Sequence, residues 1–418
     1  MNEKLKMENG KLKKYKLGEI GNVCMCKRIL KEETNTASGI PFYKIGTFGN
    51  KADVYITKEK FEEYKNKFSY PKKGDILISA AGTIGRTVIY DGSDSYFQDS
   101  NIVWIDNDET KVLNKYLFYC YKNIHWFTSK GSTILRLYND NIRNTEIVVP
   151  PLESQQKIAA VLSALDDKIA LNRRMNEKLT AMAKRLYDHW FVQFDFPDAD
   201  GKPYKASGGK MVWNETLKRE IPAGWEVKRL GEFLDCNKNS MSSESDYKYI
   251  NYLDTSSLTE NLINGIAKIH QDYPSRAKRI VNKNDILFST VRPAQHHFGI
   301  IKKTVKNMIA STGFAILSCK YGSEYNEFFY QFITSTENIE KLDSIANLNA
   351  SSYPSINSSD ILDLKITLPH EISELKPFID KVSAIFELVD SRQRETQKLT
   401  ALRDRLLPLL MNGQVEVR

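Results

Sequence analysis

Side chains able to do covalent or metal chemistry are few in this sequence, and their spacing works against them. Cys24-Met25-Cys26 offers two thiols, but no second Cys or His pair with zinc-ligand spacing accompanies them. His296-His297 has no carboxylate motif nearby. Asp198-Ala199-Asp200-Gly201-Lys202, after Pro197, superficially resembles a metal-nuclease signature. Its carboxylates are nearly contiguous, whereas such ligands normally come from separate strands, so it reads as a turn. An enzyme methylating an exocyclic amino group needs Asn/Asp-Pro-Pro-Tyr/Phe, and the one Pro-Pro here, Pro150-Pro151, lies between Val149 and Leu152. No Gly-rich dinucleotide or P-loop fingerprint is present. The expectation is a chain without a catalytic centre, metal site or cofactor of its own.

What remains are hydrogen-bond donors on polar loops, the side chains that read base edges and phosphates. Ala81-Gly82-Thr83-Ile84-Gly85-Arg86 has two glycines that permit close backbone approach, and it offers Thr83 and Arg86. Its counterpart, Ser289-Thr290-Val291-Arg292-Pro293-Ala294-Gln295-His296, offers Ser289, Thr290, Arg292, Gln295 and His296. A second pair of loops precedes the last strand of each half. One carries Ser132, Thr133 and Arg136, with Arg143 just beyond; the other carries Ser351, Ser352 and Tyr353. For Ala81–Arg86, the competing reading is a plain hairpin turn with a surface arginine.

These loops belong to a repeated framework. Lys178-Leu179-Thr180-Ala181 recurs as Lys398-Leu399-Thr400-Ala401, an offset of 220. Ile147-Val148-Val149-Pro150 matches Ile366-Thr367-Leu368-Pro369 at 219. Asp75-Ile76-Leu77-Ile78-Ser79 matches Asp285-Ile286-Leu287-Phe288-Ser289 at 210, and Leu17-Gly18-Glu19 matches Leu230-Gly231-Glu232 at 213. Four matches in one order at slowly drifting offsets indicate a tandem duplication. Short apolar runs such as Ile76–Ile78, Thr87–Tyr90, Ile102–Ile105, Ile286–Phe288, Gly299–Ile301 and Phe314–Leu317 read as strands. Helices are expected over Lys115–Asn123 and Glu324–Ser335. The class is therefore α+β: two similar mixed domains and two long helices in a pseudo-two-fold tandem repeat.

From Leu152 to about Gln193 there is no Gly or Pro. Heptad steps select Ile158, Leu162, Leu165, Ile169, Asn172, Asn176, Leu179, Ala183, Leu186 and Trp190. The repeat places Phe378, Val382, Ile385, Val389, Arg392, Thr396, Leu399, Arg403, Leu406 and Leu410 on an equivalent seam. Each seam is polar at its fifth and sixth positions, and such layers set register at a cost in stability. Antiparallel pairing about a pseudo-two-fold axis would set Asn172 against Thr396 and Asn176 against Arg392, with the globular segments at opposite ends of a rod. Roughly 40 residues of helix span about 60 Å, close to two turns of B-DNA. The expected division is 1–150, first mixed domain; 151–195, first spacer helix; 196–369, linker and second mixed domain; 370–418, second spacer helix.

The 418 residues exceed one ordinary domain, and 41% hydrophobic with 27% charged content suits packed cores. A net charge of +8 favours a polyanionic partner without proving one. Five scattered cysteines, no signal-peptide pattern and no membrane-length apolar run lead to the expectation of a cytoplasmic protein with no membrane partner.

Ile147-Val148-Val149-Pro150-Pro151-Leu152-Glu153-Ser154-Gln155-Gln156-Lys157-Ile158-Ala159 resembles the signature of specificity subunits of Type I DNA restriction-modification systems, with Ser154 where the family usually has Glu. Leu368-Pro369-His370-Glu371-Ile372 is a looser second copy. Phe194–Pro197, Lys202–Met211 and Ile221-Pro222-Ala223-Gly224-Trp225-Glu226 are similar to the family's linker and second-domain opening. The resemblance spans essentially the whole chain. It implies two target-recognition domains, each reading half of an interrupted double-stranded DNA site, and helices that set the gap and dock two adenine-methylating subunits. It also implies that S-adenosylmethionine, ATP and magnesium are used by partner subunits, including a restriction subunit that translocates DNA, and not by this chain. One alternative is the DNA-specificity subunit of a related system with a fused nuclease-methyltransferase partner. Another, of a different class, is a coiled-coil protein scaffold that binds no DNA.

Overall fold

The computed structural model describes residues 12–126, 136–242, 247–348 and 353–417. They fall into two compact units, one drawn from residues 1–169 and 398–418 and the other from 170–397. The division cuts both long helices, so each unit contains a stretch of each.

In the first unit, strands Gly21–Met25, Ile102–Asn107, Ile76–Ser79 and Thr87–Ile89 form an antiparallel sheet in that order. In the second, Leu234–Cys236, Phe314–Cys319, Ile286–Ser289 and Phe298–Ile300 do the same. Each unit also pairs its opening strand with its closing one: Lys13–Lys16 with Glu146–Val149, and Trp225–Arg229 with Lys365–Pro369. A further sheet flanks each, three-stranded in the first unit and four-stranded in the second. The duplication read from the sequence is thus a duplication of topology.

The repeated Asp-Ile-Leu-x-Ser segment shows why these residues recur. Asp75 accepts from the Lys72 N–H at 2.7 Å, and Asp285 accepts from the Asn282 N–H at 2.7 Å. Both aspartates thereby close the turn that launches the strand. Both are buried, and burial raises the pKa of each carboxyl above its ordinary value.

The first long helix runs Leu152–Tyr187 and passes into a π-helical turn, Asp188–Val192. The extra residue of a π turn fits the burial of two adjacent aromatics, Trp190 and Phe191. At its other end, Gln155 explains part of the signature. Its amide donates to the Pro150 and Lys111 carbonyls at 2.8 and 2.9 Å and accepts from the Leu113 N–H at 2.8 Å. It fastens the helix start to the loop before the helix Asn114–Asn123. The second long helix, Lys376–Met411, begins after a 3-10 turn at Ile372–Leu375. That turn lies where the repeat slips by one residue.

The seam residues are buried or half-buried throughout, and the pairing is antiparallel in each unit. In the first, Ile158 and Leu162 join Leu410 and Met411 in one core with Leu17, Val103 and Tyr116. In the second, Ala183, Tyr187 and Trp190 join Phe378 and Val382 with Phe288 and Phe328. The amides of the polar layer bond across to the other helix. Asn172 donates to Glu395 Oε2 at 2.9 Å, and Asn176 donates to the Val389 carbonyl at 3.2 Å.

A polar joint also fixes the helices in the first unit. Asp166 accepts from Arg403 at 2.8 Å, Lys122 at 3.3 Å and the Tyr119 hydroxyl at 3.1 Å. Partial burial works against its charged form, but Arg403 and Lys122 outweigh this and hold the carboxyl below its ordinary value. A depressed folded-state pKa gives stability that is present above the unfolded value, about 3.9, and lost as pH falls through the folded one. Arg403→Leu is therefore expected to cost about 1–2 kcal/mol at pH 7, since the pair is partly solvated. Denaturant titrations of both proteins should show that difference shrinking near pH 3. A difference that does not change with pH would mean Arg403 acts through packing alone.

Candidate nucleic-acid interface

In both units the loop after the central strand is held by the same three segments. In the first, the Ala80 N–H donates to the Asn101 carbonyl, the Leu137 N–H donates to the Ala80 carbonyl, and Ala81 bridges Arg136. In the second, the Thr290 N–H donates to Gly313, the Ile356 N–H donates to Thr290, and Val291 bridges Ser355. The loops that the sequence placed far apart, 81–86 with 136 and 290–296 with 353–355, therefore lie side by side. Ser132, Thr133, Ser351 and Ser352 lie outside the described residues.

Ser79 and Ser289 sit beneath these loops, each 2% exposed. Ser79 Oγ donates to the Thr83 carbonyl and accepts from the Arg86 N–H at 2.9 Å. Ser289 Oγ donates to the Val291 carbonyl at 3.0 Å and accepts from the Val291 N–H at 3.2 Å. Ser289 thus braces the loop from below, and Thr290 is likewise engaged with Gly313 through its hydroxyl at 3.1 Å. Gly85, at φ +81°, is required: a Cβ there would lie 2.5 Å from Trp126 Cδ1.

The two loops present different tips. In the first unit Thr83 is exposed, but Arg86 is half-buried and donates from Nη1 to the Phe48 carbonyl at 2.8 Å. Arg136 donates to Ser100 Oγ at 2.6 Å. Arg143 stands on a separate short helix, Asn139–Asn144, with its Cβ against Gly18 and its guanidinium beside Asp140. In the second unit Arg292 and Gln295 are exposed, with His296 half-buried and bonded to Glu260 at 2.6 Å. Arg292 and His296 both have left-handed backbone, at φ +47° and +58°, on either side of a 3-10 turn. The Arg292 guanidinium rests on the ring of Tyr353, 5.3 Å from its centroid, and that ring is 63% exposed. Left-handed backbone at a non-glycine residue costs about 1–2 kcal/mol, more than the roughly 0.5–1 kcal/mol an exposed cation–π stack returns.

Residues 9–181 and 222–401 match the family model described as the Type I restriction modification DNA specificity domain. The chain belongs to this family. A type I specificity subunit of Methanocaldococcus jannaschii, named MjaIX, is 28% identical over 82% of this chain and 78% of its own. The HindI specificity subunit of Haemophilus influenzae is 25% identical over 88% of this chain and 94% of its own. A second H. influenzae protein, provisionally described as such a subunit, is 62% identical, but over 37% of this chain and 40% of its own. The crystal structure of the type I S subunit from M. genitalium shares the fold, with a TM-score of 0.63 at 15% identity over 98% of this chain and 99% of that one.

For a specificity subunit, the braced loops are part of its two DNA-recognition domains. Among the described residues no group of three or more His, Cys, Asp or Glu side chains could hold a metal ion, and no helix is long and apolar enough to cross a membrane. Sequence reasoning did not single out Ser79, Gln155 or Phe48, whose roles lie in bracing. For Ser79, the repeat with Ser289 was the available signal.

Proposed function

We propose that this subunit supplies sequence specificity for an interrupted double-stranded DNA site, each recognition domain reading one half, and that its partners perform all chemistry. The observation that carries this reading is the pair of loops: one bracing scheme in both domains, with different donors at its tip. Two copies of one reader with different tips suit two unlike half-sites. Adenine methylation would fall to two methyltransferase subunits using S-adenosylmethionine. DNA translocation and cleavage would fall to restriction subunits using ATP and magnesium. Docking on the long helices is supported by exposed apolar residues there, Leu171, Met175, Met182 and Leu388 in one unit and Leu402 in the other.

The test is methylome sequencing of a host that expresses the methyltransferase partner, with and without this chain. One two-part motif is expected to appear only with it. An unchanged methylome would sink the reading.

A further inference from the structure

The two recognition loops carry arginines after equivalent strands, and the structure gives those arginines different work. Arg86 is turned inward, one Nη spent on the Phe48 carbonyl at 2.8 Å, with its Cδ near Gly49. It rivets the segment around residue 48 to the sheet. Arg292 is turned outward. Among the described residues its guanidinium has no carboxylate partner, and its side chain lies on the exposed Tyr353 ring. Its backbone is tied as well, since the Arg292 N–H donates to the Pro354 carbonyl at 3.1 Å and its carbonyl accepts from Gln295.

A planar guanidinium held against an aromatic face keeps its outer edge of N–H donors free and fixed in direction. That edge matches the O6 and N7 acceptors that guanine alone presents together in the major groove. Arg292 combines left-handed backbone with a side chain on Tyr353, and the stack itself does not offset that strain. Strain that local contacts leave uncompensated is characteristic of ligand-contacting positions.

Resting on the reading of the chain as a specificity subunit, we propose that Arg292, oriented by Tyr353, reads a guanine in the major groove of the half-site belonging to the second domain, and that Arg86 does no equivalent reading in the first. Arg292 is the contacting residue and Tyr353 a positioning residue.

The experiment uses the full-length chain assembled with its methyltransferase partner. Methylome sequencing first defines the motif. Binding is then measured on duplexes in which each guanine of the motif is replaced singly by 7-deazaguanine, which lacks N7. One guanine, in one half-site, should cost the wild-type complex about tenfold or more in affinity. The Arg292→Gln complex should be indifferent to that replacement while keeping every penalty in the other half-site, which shows that it is folded. Arg86→Gln, which removes a brace, should weaken first-half-site binding evenly, with no single guanine losing its N7 penalty. Tyr353→Ala should lose much of the Arg292 effect, and Tyr353→Phe should restore it.

A motif without guanine, N7 penalties that survive Arg292→Gln, or penalties lost in both half-sites overturn the proposal alone. Absence of any two-part motif overturns the underlying reading instead, and the proposal with it.

Discussion

Lys302→Met is expected to destabilise the second unit by about 3–5 kcal/mol, the usual cost of leaving one member of a buried ion pair behind. Lys302 Nζ lies 2.6 Å from Glu327 Oε1, with the two side chains 3% and 1% exposed. Ser383 Oγ donates to the same oxygen at 3.1 Å, and Glu387 lies 3.7 Å from the ammonium. The joint thus ties the segment after strand Phe298–Ile300 to the helix Asn326–Ile333 and to the second long helix. With methionine at 302, the Glu327 carboxylate keeps a single hydroxyl donor among the described residues, because its Oε2 has no partner there. The loss should appear as a lower urea midpoint. The double change Lys302→Met with Glu327→Leu should recover most of it, since an apolar pair of similar volume leaves no buried charge unmatched. A double variant no more stable than Lys302→Met would mean that the cost is one of shape and not of charge.

That joint also marks where sequence reasoning stops. Lys302-Lys303 at the end of an apolar run looks like a solvated strand end, and nothing near it announces a carboxylate 25 residues on. The same holds for Arg86, whose commitment to Phe48 depends on a backbone carbonyl 38 residues upstream. Periodic features fared better. The heptad seams predicted which helix faces are buried, because burial follows a 3.6-residue period whatever the partner. The repeats at Asp75 and Asp285 exposed the duplication because a carboxylate capping a turn has few substitutes.

The candidate site divides the same way. The sequence identified both loop pairs as the polar interruptions of matched strands, and the structure brings the members of each pair together. It did not distinguish donors facing outward, such as Arg292 and Gln295, from those that brace the loop, such as Ser289. Residue type is the same in either case, and only the direction of the side chain separates them. The seams marked the polar layer, but not the acceptors its amides use, Glu395 and the Val389 carbonyl. Glu395 lies one position from the seam, and side-chain reach, not periodicity, selects it.

That layer holds buried polar atoms without partners among the described residues and should be improvable. Asn172 is fully buried, Thr396 is 8% exposed, and Asn172 Oδ1, Asn176 Oδ1, Arg392 Nη1 and Thr396 Oγ1 all lack partners among the described residues. Each such group forfeits hydration, at about 1–3 kcal/mol where no water replaces it. Asn172→Leu removes one of them and loses a hydrogen bond to Glu395, an exposed residue whose carboxylate water can serve. Adding Thr396→Val removes a second without changing the volume much. The double variant should therefore be more stable than the natural chain by about 1–3 kcal/mol, read as a higher denaturant midpoint with an unchanged slope. If stability falls instead, bound water must already satisfy these atoms, and a high-resolution structure should show it between the helices. The natural residues would then also serve register: a one-heptad shift would face the Asn172 and Asn176 amides with aliphatic side chains, and replacing Asn172 and Thr396 removes part of that penalty.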